Sequence, residues 1–151
     1  MTIKLSEILQ YKNSHVIQRY EKDYDTNKLD AEMALQEVLK YLWISEKHER
    51  DRKKDPDNME LHFDCAVHFE MKEIDDMWHT FILFTREYAE FCQCYFGRFM
   101  HHAPNVAQEK PTPEKFSQEF ERYLSYVYDH LGEETLQIWF APLFSERAHF
   151  S

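Results

Sequence analysis

Only two glycines, Gly97 and Gly132, and five prolines are spread over 151 residues, and this scarcity constrains the fold more than any other feature. A domain built from strands needs a turn residue every ~8 to 12 positions, which this chain lacks. Apolar residues make up 43% of the sequence and aromatics 16%, enough to supply a core despite 30% charge. The sequence therefore predicts an all-α chain, a compact single-domain helical bundle of about five or six helices. The expected domain covers 1–151, with 1–28 as an N-terminal segment and 143–151 as a C-terminal tail.

Periodicity places the helices. Leu35, Val38, Leu39 and Leu42 follow the i, i+3, i+4, i+7 pattern with Asp30 ahead as N-cap, so a helix is expected near 30–49, and the charged "DRKKDPDN" after it reads as a surface loop. Residues 59–72 offer two patterns: Leu61, Cys65 and Phe69 fit a helix stripe, while His62, Asp64, Ala66 and His68 would share one face of a strand; the helix is the expectation. Ile74 to Phe96 is apolar all round, which predicts a central element, one bent helix or two in series, with Thr85 capping the second and Gly97 closing it in the left-handed conformation. A loop follows at "HHAPNVAQEKPTP". Thr112 with Pro113 then has the form of an N-cap with Pro at N1, opening a helix with the stripe Phe116, Phe120, Tyr123, Leu124, Val127, Leu131 that ends at Gly132 and packs against the central segment. A short last helix, "EETLQIWF", precedes Pro142.

Charge and apolar patterning exclude several functions. With 28 acidic and 18 basic residues the net charge is -10, which repels phosphate backbones, and the densest basic stretch, "KHERDRKK", contains acids of its own; nucleic acid is not an expected partner. No apolar run approaches the ~20 residues of a membrane helix, "FILF" being far too short, and the first residues lack the apolar region of a secretory signal. The cytoplasm is the expected location. Cys65, Cys92 and Cys94 cannot all pair, are expected to be reduced thiols, and show no zinc-binding C-x-x-C spacing. Phosphate loops, nucleophile elbows and dinucleotide fingerprints are missing.

The stretch "IDDMWHTFILFTREYAEFCQCYFGRFMHHAP" concentrates what chemistry there is. On a helix Asp75 and His79 lie one turn apart on a face shared with Trp78 and Ile82. A carboxylate beside an imidazole sheltered by an indole can bind a metal jointly, or can be a hydrogen-bonded core pair. His102, one of the adjacent pair His101 and His102 just after Gly97, matters only if it lands near His79. Cys92, four residues after Tyr88, suits a small buried hydrophobe, with a thiol nucleophile as a lesser alternative.

In order, Asp75, Trp78, His79, Tyr88, Cys92, Gly97 and His102 resemble the signature of the glycine-rich domain-containing protein-like family, roughly D-x-x-W-H-[ST]-H-x-L followed by a Tyr, a Cys, a Gly and a terminal His. The chain departs from it at Phe81, where the pattern has a second histidine, and it lacks the glycine-rich regions that name the family. The resemblance implies a shared domain rather than a reaction. It supports a metal site formed by Asp75, His79 and His102, assisted by Tyr88, Cys92 or His101, holding iron(II) or zinc. The expected function is a small soluble metal-binding protein, with a metal-dependent reaction on an unidentified substrate open to it. The alternative is a non-catalytic protein-protein interaction module in which the Asp/Trp/His cluster is structural. The partner is accordingly a protein or a small molecule.

Overall fold

The computed structural model describes residues 3–102 and 112–141. Most of the loop after His102 and the whole 143–151 tail lie outside the described residues. The fold class is all-α as expected. Among the described residues there are seven α-helices and no strands: α1 (Leu5–Ile8), α2 (Ser14–Asp23), α3 (Ala31–Lys54), α4 (Lys72–Leu83), α5 (Thr85–Phe96), α6 (Pro113–Leu131) and α7 (Glu133–Trp139). None of the helices described is long and apolar enough to cross a membrane.

The hub of the bundle is α3, not the 74–96 segment. It packs on α1, α2, α4 and α6, and buries Leu35, Val38, Leu39, Tyr41, Leu42 and Ile44. The Asp30 carboxylate caps its start by accepting from the Glu32 amide. Its end runs on into the expected loop, because Lys47 and Asp51, and Glu49 and Lys53, pair one turn apart and Arg52, Lys53 and Lys54 place cations at the carbonyl end of the helix dipole. The expected surface loop therefore starts at Asp55 instead of Asp51.

The expected helix over 59–72 does not form. Short 3-10 turns at Met59–Leu61 and Phe69–Met71 flank an irregular segment, 62–68. Side chains of α3 and α6 take its carbonyls: Arg122 bonds His62 O, Arg52 bonds Phe63 O, Tyr41 bonds Cys65 O at 2.5 Å, and Tyr123 bonds Ala66 O at 3.0 Å. Hydrogen bonds across the bundle replace those a helix would have made along itself.

The 74–96 segment forms two helices broken at Phe84, with no side-chain cap from Thr85, which is simply the first residue of α5. It is not apolar all round: α4 buries Ile74, Met77, Trp78 and Phe81 against α2 and α3 but exposes His79 and Leu83. Gly97 closes α5 at φ 71°, donating to the Cys92 and Gln93 carbonyls. Thr112 caps α6 through the Lys115 amide, with Pro113 in its first turn. That helix packs on α3 and α7 rather than principally on the 74–96 pair.

Candidate metal centre

Two elements build the centre. The pitch of α4 sets Asp75 and His79 one turn apart, with Asp75 Oδ1 3.7 Å from His79 Nε2. The strap of residues 97–102 leaving α5 returns His102, whose Nε2 lies 2.7 Å from the same Oδ1. One ligand atom from each residue falls within 4.8 Å of those of the other two, so the group could hold a metal ion. Exposure is graded: the His102 side chain is 19% accessible, Asp75 29% and His79 51%.

The strap is held at three points. Gly97 turns the chain sharply out of α5. Arg98 Nε donates to Glu46 on α3 at 3.0 Å, and its terminal nitrogen reaches both Glu46 and Glu49. The buried Tyr88 hydroxyl donates to Met100 O at 2.5 Å while accepting from the Trp78 indole at 3.0 Å. Burial pushes the Tyr88 hydroxyl well up from its ordinary value, so it remains a neutral donor. Burial also pushes up the Glu46 carboxyl, but the Arg50 and Arg98 guanidiniums outweigh it and hold that carboxyl low.

The expected auxiliary ligands separate from the group. Tyr88 spends its hydroxyl on Trp78 and Met100. Cys92 is fully buried against Tyr88 and the Met100 backbone, and burial pushes its thiol up, which opposes a thiolate nucleophile. His101 is exposed and packs on Phe99 with ring centroids 4.7 Å apart. Phe81, the position at which the chain departs from the glycine-rich domain-containing protein-like pattern it resembles, is buried among Tyr11, Tyr88 and Phe91.

A cleft of about 720 Å³ adjoins the group, a feature sequence patterning missed. The Trp78 ring sits 4.3 Å from that of His102 and 5.2 Å from Tyr41, and Tyr41 bonds the carbonyl of Cys65. The irregular segment from Asp64 to His68, with Phe69 of the turn after it, thus walls the cleft. Burial pushes the Cys65 thiol up and holds the His68 imidazole below its ordinary range, so both face the cleft uncharged. The alternation of His62, Asp64, Ala66 and His68 hinted at extended backbone here, but no pattern in the chain reveals which tyrosines would hold it.

Fold and site together define a small helical protein with a two-histidine, one-carboxylate group able to hold a metal. The chain belongs to the UCP032817-like family, whose profile matches residues 18–128. That span includes the whole group and leaves out α1 and α7. Comparison with curated proteins and with solved structures found no match.

Proposed function

We propose that Asp75, His79 and His102 bind a divalent transition metal, iron(II) or zinc, and that the protein uses it on a small molecule held in the adjoining cleft. One observation carries this: three ligand atoms from two separate elements converge within 4.8 Å beside a cleft open to solvent. Ligand atoms bonded to such an ion at ~2.0–2.2 Å stand roughly 3–3.5 Å apart. The observed 2.7 and 3.7 Å separations from Asp75 Oδ1 bracket that spacing, so small side-chain movements suffice. Three protein ligands leave positions open, as in catalytic zinc sites and in the two-histidine, one-carboxylate iron sites. A bound ion would supply Lewis acidity to a coordinated oxygen. Trp78 would shelter the His102 side of the centre, and the Arg98 and Tyr88 clamps would fix the His102 backbone.

The resemblance to the glycine-rich domain-containing protein-like pattern supports this through the same three residues. A purely structural role draws support from the Asp75–His102 hydrogen bond, which already satisfies both partners. His79 weighs against it: a half-exposed imidazole does not need Asp75 to satisfy it.

Elemental analysis of untagged protein, reconstituted with zinc or with iron(II) under anaerobic conditions and then desalted, tests the proposal. Near-stoichiometric metal that is lost in His79→Ala supports it. Metal-free protein with unchanged melting in the presence of either ion would overturn it and send the search to binding partners.

A further inference from the structure

We infer that the cleft beside Asp75, His79 and His102 takes a monoanionic oxygen-donor ligand with an uncharged, apolar body, the oxygens binding the metal and the body lying along the Cys65–Phe69 wall. This rests on the metal assignment and adds the class of ligand to it. Charge selects the head. A divalent ion with one carboxylate and two neutral imidazoles carries a net charge of about +1, which a carboxylate, hydroxamate or enolate neutralises and a cationic amine does not. The Lys72 ammonium also lines the cleft, but Asp76 balances it at 2.8 Å, so it adds little pull for a second negative charge.

The lining selects the body. Rings run without a break from the centre into the cleft, His102 to Trp78 to Tyr41, with centroid separations of 4.3 and 5.2 Å. Cys65, Ala66, Val67 and Phe69 line the same cleft. Asp64, a second carboxylate on the lining, repels further acidic groups. Phe69 is 89% exposed, the most exposed of the large apolar side chains described, and it stands on the cleft lining with its ring largely open to solvent. Such a ring fits a ligand better than a core. The volume, about 720 Å³, falls among those of small-molecule pockets, about 300–1,000 Å³.

The test is calorimetric titration of the zinc-loaded full chain with benzohydroxamate and with acetohydroxamate, which share a metal-binding head and differ in the body. The phenyl compound is expected to bind about tenfold more tightly or better, ~1.4 kcal/mol, and to lose most of that advantage in Phe69→Ser, whose exposed side chain contributes little to the core. Removing zinc should abolish binding of both. Equal affinities for the two probes, or benzohydroxamate binding that persists without zinc, would overturn the ligand class while leaving the metal centre standing. A chain that takes up no zinc in elemental analysis fails at the earlier step, and this inference falls with it.

Discussion

Two of the polar clusters between elements of this protein are built on opposite plans. At the junction of α3 and α7, Glu37 is 2% exposed; it accepts from the Trp139 indole at 2.9 Å and from Lys40 at 3.0 Å, and Lys40 also reaches Thr135 at 3.1 Å. Each of those donors faces an acceptor. At α4 and the strap, one carboxylate oxygen faces two imidazole nitrogens beside a cleft, with accessibility left over. The first cluster is closed by its own members. The second leaves His79 half exposed and 3.7 Å from the carboxylate oxygen it faces. Burial with complete pairing marks a joint, whereas convergence with incomplete burial is what the proposed metal centre calls for.

The strongest way to break this contrast is to remove each carboxylate in turn. Glu37→Ala strips the partner from a buried indole and an ammonium and should cost about 3–5 kcal/mol in urea unfolding. Asp75→Ala in metal-free protein should cost only about 1 kcal/mol; a reversed order would erase the distinction. Zinc at one hundred times its dissociation constant should stabilise the wild-type chain by about 2.7 kcal/mol, read by differential scanning calorimetry, and should do nothing for His79→Ala.

Acidification sharpens the contrast through groups outside the centre. His48 is 6% exposed, stacked on Phe63 and donating to Leu61 O, and belongs to the closed kind. Burial holds His48, His68 and His130 below the ordinary histidine value of 6.5. The unfolded chain then binds more protons as the pH falls through 6.5, so stability drops in that window. Glu46 and Asp51 are held below 4.5 and 3.8, so what they contribute is present above those values and lost below them. Both effects have one sign, and metal-free Tm should fall steadily from pH 7 to pH 4; a rise on acidification would contradict it. The smallest effect is expected at the strap, where Arg98→Ala should cost about 0.5 kcal/mol while weakening zinc binding measured by competition with a chelator.

What was legible in the sequence was local. Asp30, Gly97 and the Thr112–Pro113 pair act on backbone groups within a few residues, and each does what its chemistry requires. Asp75 and His79 followed from helix pitch alone. His102 did not, since its approach depends on Arg98 meeting Glu46 and on Tyr88 meeting Met100, contacts that periodicity does not encode. The segment 62–68 misled for the same reason: Tyr41, Arg52, Arg122 and Tyr123 hold it, and all four lie elsewhere in the chain. The hub was misplaced because 74–96 is the more apolar stretch, whereas α3 buries even Glu37, Glu46 and His48. Paired charges are swallowed there along with the leucines.

The separation of His102 from Asp75, 27 positions along the chain, gives the centre a place in the order of assembly. Under the proposed metal assignment, α4 by itself would offer an ion only Asp75 and His79, two of the three ligands. The third arrives when the strap docks. On the proposed assignment, full coordination would belong to the finished fold, so an ion bound there would act as a removable stitch across the intervening segment, stabilising the folded chain over the unfolded one. Withdrawing such an ion would cut the stitch without touching a peptide bond, returning the chain to the stability of its metal-free fold.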